Sequence, residues 1–214
     1  MKWLSLIFLL FLSFQPEGDC YSVFEIKYRY TDKRVDKLLL TLADNKAFNK
    51  EALLKKRDKD FVLLTNDTCS LFQGPDIAYY RNLKLQEFLY TTTWHDRNTG
   101  ENLRLIIRKD VPEAEWTIVS GSKETNGYKV YKALYRDGKT RAWFTPDIPL
   151  DAGPEFYSGL PGLIVKLVKP NGIEYSLVSI TKKRLPIKQP EGDRSMTEAE
   201  YKRFLQSNGV FGLH

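Results

Sequence analysis

Asp147, Asp151 and Glu155 recur at every fourth position within one short stretch. Paired acids of this kind can work on a glycosidic bond, and carboxylates together with loop carbonyls can hold calcium. On a helix the three would share a face, but Pro149 and Pro154 interrupt any helix there. Loop carboxylates more commonly accept hydrogen bonds from nearby backbone donors, and Arg141 and Lys166 are close enough in sequence to pair with them. Ser158 is a poor nucleophile candidate. A nucleophile elbow needs glycine two positions earlier, and Phe156 stands there. The histidines are His95 and the terminal His214, so a serine relay would have to use His95, in a turn beside Asp96. Two distant histidines and two cysteines lack metal-ligand spacing. No glycine-rich phosphate cradle is present. The expectation is therefore no catalytic residue, no metal and no cofactor.

These residues must be positioned by strands. In residues 21–30, Phe24, Ile26, Tyr28 and Tyr30 alternate with Glu25, Lys27 and Arg29, the period of a strand with one wet side. Residues 35–42 read as a second strand, and 44–57 as a short helix or long loop with Asp44 as a cap. Strands are expected at 61–64, 83–92, 101–109 and 116–119, with a turn at Gln73-Gly74-Pro75-Asp76. Asp137-Gly138 predicts a two-residue turn between strands 128–136 and 139–144. Pro170-Asn171-Gly172 joins 163–169 to 173–180. Thr197 and Glu200 form a capping box for a last helix, which Asn208-Gly209 stops. Eight to ten strands, dominated by hairpins, with one or two short helices including a C-terminal one, predict a mainly β fold. Its form would be a single curved antiparallel sheet or half-open barrel.

The N-terminus reads as an export signal. Lys2 precedes the apolar run 3–14, which is too short to cross a bilayer core of about 30 Å as a helix. The expected organisation is a signal peptide over residues 1–19, cut between Gln15 and Cys20, followed by one β-rich domain over 20–214. Glu17 and Asp19 spoil a lipid-anchor site at Cys20. Cys20 and Cys69 are the pair available for one disulfide in an oxidising compartment. Net charge is +6, and removing residues 1–19 takes away one positive and two negative charges, leaving +7. Tight basic clusters occur at Lys55-Lys56-Arg57 and Lys182-Lys183-Arg184, too short for a nucleic-acid stripe. Anionic lipid head groups or acidic glycans suit an exported basic surface better.

The segment 141–168 carries Pro146, Pro149, Pro154 and Pro161 among Gly153, Gly159 and Gly162. Proline fixes φ and glycine permits tight turns, so the result is a rigid loop delivering Leu163-Ile164-Val165 into the sheet. Two roles fit it: a plug in the chain's own core, or a binding lip displayed on the sheet. Residues 163–165 are expected to be core. Recognition is expected in the loop before them, with Trp143, Asp147, Tyr157, Gly159, Pro161 and Gly162 as candidate binding residues.

Gly159-Leu160-Pro161-Gly162-Leu163-Ile164 matches the hexapeptide that names the GLPGLI family of exported bacterial proteins. Gly127-Tyr128-Lys129, Lys132-Ala133 and the block from Ala142 through Pro149, AWFTPDIP, resemble further family blocks in the same order. The sequence departs from the pattern at Val130, where many relatives carry Cys, so a family disulfide through this strand does not apply. The resemblance implies an envelope or secreted protein of a Gram-negative phylum rich in outer-membrane uptake systems, and no catalytic residues. The leading expectation is a non-enzymatic binding or accessory protein, in the periplasm, at the outer-membrane periphery or secreted, and working beside an outer-membrane transporter. Its partner would be an envelope protein, a peptide or a lipid, not nucleic acid, and no transmembrane span would remain after signal removal. The alternatives are an envelope hydrolase using Asp147 and Glu155, and a structural surface protein.

Overall fold

The computed structural model describes residues 22–42, 49–96, 99–110, 115–125 and 127–210. Its centre is β1 (Ser22–Asp32), whose Phe24, Ile26, Tyr28 and Tyr30 share one face. Two helices follow, α1 (Lys33–Thr41) and α2 (Lys50–Arg57). An antiparallel meander then runs through β2 (Asp58–Thr65), β3 (Cys69–Gln73), β4 (Ala78–Asn82), β5 (Glu87–His95) and β6 (Asn102–Lys109). A second meander comprises β7 (Trp116–Thr125), β8 (Tyr128–Tyr135), β9 (Arg141–Thr145), β10 (Leu163–Val168) and β11 (Ile173–Arg184). Its last strand returns to β1, so β1 lies between β2 and β11 and joins the two meanders. The short β12 (Arg194–Thr197) leads into α3 (Glu198–Ser207).

Among the described residues, twelve strands form one sheet in the order β12-β6-β5-β4-β3-β2-β1-β11-β10-β9-β8-β7. The fold is mainly β, and the sheet is open, with β12 and β7 as its edges. Every pairing is antiparallel except β12 with β6. That exception follows from the path of residues 185–193. They cross one face of the sheet, where Ile187 packs against the cluster of Leu71, Ala78, Tyr80 and Leu89, and reach β6 running in its own direction. Asp193 fixes the entry by exchanging hydrogen bonds with the backbone of Arg104, N–H to carbonyl at 2.8 Å and amide to carboxylate at 2.7 Å.

The opposite face, here called the inner face, carries an aromatic core. Phe61 stacks on Phe72 with centroids 5.1 Å apart, and Tyr175 meets both edge-on, arrangements favoured by the ring quadrupole. Residues 146–162 cover one part of this face, with Phe156 against Phe88. Helix α3 covers another, with Phe204 against Trp94. The expected capping box is present: Thr197 Oγ1 accepts from the Glu200 amide at 3.3 Å, and the Glu200 carboxylate accepts from the Thr197 amide at 2.8 Å.

Several local expectations need correction. Residues 83–86, expected to open a strand, form the turn between β4 and β5, because the Asn82 side chain accepts from the Lys84 and Leu85 amides. Residues 35–42 are helical in α1, not a strand. Asp32 supplies the reason, because its carboxylate accepts from the Arg34 amide at 3.0 Å and caps a run of lysines and leucines suited to a helix. The cap of α2 is Asn49, whose side chain accepts from the Ala52 amide at 2.9 Å, while Asp44 lies outside the described residues. The turn at Asp137-Gly138 is longer than two residues. The Tyr135 amide bonds the Thr140 carbonyl, and Asp137 gathers the Lys139 and Thr140 amides and the Thr140 hydroxyl. Gly138 takes a positive φ of 64°, as the corner of a four-residue loop requires. The strands β3 and β4, five residues each, flank the expected Gly74-Pro75 turn and were not read from the sequence.

The segment 146–162 is a plug. Leu150, Ala152, Tyr157 and Leu160 join the same core cluster as Leu163, Ile164 and Val165. The Leu163 amide bonds the Ile148 carbonyl at 3.0 Å, and the Ile164 amide bonds the Ala152 carbonyl at 3.1 Å. Gly162 has φ of 142°, and a Cβ there would collide with the Thr145 carbonyl. Ile164→Ala leaves a cavity at a fully buried site and should cost about 2–5 kcal/mol. Pro161→Ala, at an exposed position, should cost less, through the entropy of the unfolded chain. Denaturant unfolding of the two variants measures the difference, and equal midpoints would contradict the plug.

Candidate functional site

The sheet forks between β10 and β11. These strands pair through three residue pairs only, Lys166 with Ser176, Leu167 with Tyr175 and Val168 with Glu174. Past Ser176, β11 follows β1 as far as Arg184, whereas Leu163 and Ile164 stay with β9. Irregular register on both sides accompanies the split, at Lys27/Tyr28 in β1 and between Ile164 and Lys166 in β10. Such bulges bend strands and raise local twist.

On the inner face the fork is closed by Tyr28. The side chain is fully buried, and its hydroxyl donates to the Ile164 carbonyl at 2.6 Å. Burial drives the Tyr28 hydroxyl far above its ordinary pKa, so it remains a protonated donor.

On the outer face the fork opens into a cleft of about 440 Å³. Val130, Val165 and Leu177 line its apolar depth, beside the rings of Tyr128 and Trp143, and Leu177 reaches it from the Tyr28 side of β11, at the split itself. Lys123, Lys166 and Ser176 supply its polar groups. The register explains the arrangement. Lys132 of β8, Trp143 of β9, Lys166 of β10, Ser176 of β11 and Arg29 of β1 are successive cross-strand partners in one row. The ammonium groups of Lys132 and Lys166 lie over the Trp143 ring, 5.8 and 5.7 Å from its centroid, a cation–π contact from each neighbouring strand.

Glu174 balances part of this charge. It pairs with Lys166 at 2.5 Å and with Lys33 at 2.9 Å. Burial alone would raise its pKa, but hydrogen bonds and attraction from Lys166 and Lys33 win and hold it below the ordinary glutamate value. Among the described residues, no carboxylate lies within ion-pair distance of Lys123 or Lys132.

The expected site residues do not converge. Trp143 lines the cleft, half-buried. Asp147 is exposed and accepts from the Lys129 amide at 2.9 Å. Tyr157 and Gly162 are buried in the plug, on the inner side. Gly159 and Pro161 are exposed, and the Gly159 amide donates to the Asp151 carboxylate. Glu155 is turned inward, binding Lys169 Nζ at 2.8 Å and accepting from the Tyr175 hydroxyl at 2.8 Å. The Cys69 sulfur sits 3.8 Å from the Tyr80 hydroxyl, and Cys20 lies outside the described residues. His95 faces Asn102 across the β5–β6 turn at 3.0 Å. Among the described residues, no group of three or more His, Cys, Asp or Glu could hold a metal ion, and no helix is long and apolar enough to cross a membrane. Sequence reasoning missed Lys123, Lys132, Lys166 and Leu177. The signal that could have found them is the cross-strand register, in which Lys132 and Lys166 both face Trp143.

Residues 136–166, from the β8–β9 loop through the plug into β10, match a family described as "Protein of unknown function (Porph_ging)". Two solved structures, described as PNGF-II in two space groups, are similar to this chain over 87% of its length at 16% identity, with TM-scores of 0.60 and 0.57. The chain spans about a third of the length of those proteins, 33% in each. At this identity the likeness is one of fold. No curated protein matches the chain.

The lowered pKa of Glu174 has a measurable consequence. Its contribution to stability is full above the ordinary glutamate range and is lost as pH falls through the lower folded-state value. Thermal midpoints of the wild type and Glu174→Gln should therefore lie apart at neutral pH, wild type higher, and converge on acidification below about pH 4. A gap that stays constant with pH would show that the ion pairs contribute nothing.

Proposed function

We propose that this chain is an exported, non-enzymatic binding or accessory protein of the bacterial envelope, of the GLPGLI type, whose ligand site is the cleft at the β10–β11 fork. One observation carries the reading. A cleft of about 440 Å³, lined by apolar side chains with a few polar groups, is framed by strands, as small-molecule sites commonly are. The export assignment rests on Lys2 with the apolar run 3–14, and the type on the hexapeptide 159–164 with its preceding blocks. The acids that a hydrolase would need are engaged elsewhere. Asp147 receives a backbone amide, and Glu155 is committed to Lys169 and Tyr175. The likeness to PNGF-II supports the fold, and no activity is carried over from it.

A cleft-filling variant tests the proposal. Leu177 is partly buried on the cleft wall and packs against the core, so Leu177→Trp should block the site at an overpacking cost of about 1–3 kcal/mol, and its folding is checked first. Mass spectrometry under non-denaturing conditions, on protein purified from envelope extracts, should show a bound small molecule on the wild type and none on the folded variant. Identical adducts on both proteins, or none on either, would overturn it.

A further inference from the structure

We infer that the fork cleft takes a single-chain anionic amphiphile, its acyl chain in the fork and its carboxylate at Lys123, Lys166 and Ser176. This rests on reading the cleft as the ligand site and names what enters it. Three features select the ligand.

The first is charge. Lys123, Lys132 and Lys166 surround the cleft, and the nearby Glu174 is already shared with Lys33. The site is thus short of negative charge, and Lys123 and Lys166 with the Ser176 hydroxyl can donate to a carboxylate. Charge-assisted hydrogen bonds of this kind are the strong ones.

The second is the shape of the apolar part. Val130, Val165 and Leu177 present branched aliphatic surface at the point where two strands diverge. A flexible chain can follow branched aliphatic surface of this kind. The volume lies within the roughly 300–1,000 Å³ range of small-molecule sites.

The third is the state of Trp143. A sugar or base would need a bare indole face on which to stack. Here the ammonium groups of Lys132 and Lys166 lie over that ring, and the indole contributes apolar surface to the wall. The stack of cation on ring also holds the Lys166 head group near the mouth of the cleft.

Calorimetric titration of the delipidated protein with dodecanoate tests the inference. Dodecyltrimethylammonium, the same chain with the opposite charge, and Nile red, a neutral apolar dye, serve as comparison probes. Dodecanoate should bind and displace Nile red, and dodecyltrimethylammonium should bind at least tenfold more weakly. Lys123→Glu, at an exposed position with no ion-pair partner among the described residues, should weaken dodecanoate about tenfold or more while leaving Nile red and the unfolding midpoint unchanged. Leu177→Trp should exclude both. Dodecanoate binding without flotation on phosphatidylglycerol vesicles would support the single-chain acid. Flotation that is lost in Leu177→Trp would show a two-chain phosphodiester lipid in the cleft and overturn it.

Equal affinity for the cationic and anionic probes, or indifference of dodecanoate to Lys123→Glu, would overturn the inference. If Nile red enters the wild-type cleft, is excluded by Leu177→Trp and is not displaced by dodecanoate, the cleft remains a ligand site and the anionic class is wrong. If neither probe binds, the ligand-site reading fails as well.

Discussion

The hydrogen bond from the Tyr28 hydroxyl to the Ile164 carbonyl ties together parts of the chain 136 residues apart, at the point where the sheet divides. Once β11 leaves β10, the carbonyl of Ile164 lies in a dry interior without a strand partner on that side. An unmet buried carbonyl is costly, and Tyr28 meets this one from the central strand. The same side chain fills the space beneath the fork, against Phe72 with centroids 6.0 Å apart. The inner face is therefore sealed where the strands part, and the free space is left on the outer face. The cleft is a consequence of that asymmetry.

The plug makes the fork possible. Residues 146–162 leave β9, fold back over the inner face and hand the chain to β10 through Gly162, whose backbone passes against the Thr145 carbonyl too closely for any side chain. Gly153 is similarly tight, since a Cβ there would meet Ile164 Cδ1 at 2.6 Å. Inside the plug, several polar groups have specific partners. Glu155, at a positive φ of 57°, is held by Lys169 and Tyr175, and Trp116 Nε1 donates to the Ser158 carbonyl at 2.7 Å. A plug held by these bonds, with its leucines in the core, sets the position of Leu163 and Ile164, and so sets where β10 can and cannot pair with β11.

Much of this frame could be read from residue types. Alternation in residues 22–30, the capping box at Thr197 and Glu200, and the burial of residues 163–165 are local properties, and local patterns report them. Residues 35–42 misled because their apolar run is short, and the deciding group, the Asp32 cap, lies just outside it. The cleft was less legible. Trp143 was identified, but Lys132, Lys166 and Leu177 reach it only through pairing across four strands, and that register depends on the bulges and on the path of the plug. Tyr157 and Gly162 drew attention for their residue types, yet the packing uses them inside the molecule. Loop composition reports rigidity, and it does not report which side of the sheet the loop will cover.

Tyr28 closes the fork, and hydrogen exchange on Tyr28→Phe measures that directly. Removing the hydroxyl while keeping the ring should cost about 1–3 kcal/mol, the penalty of an unsatisfied buried carbonyl. The loss of amide protection should concentrate in β10 and in the part of β11 beyond Ser176, with β3 to β6 retaining wild-type protection. Unchanged protection in β10, or a loss spread evenly over both meanders, would contradict it.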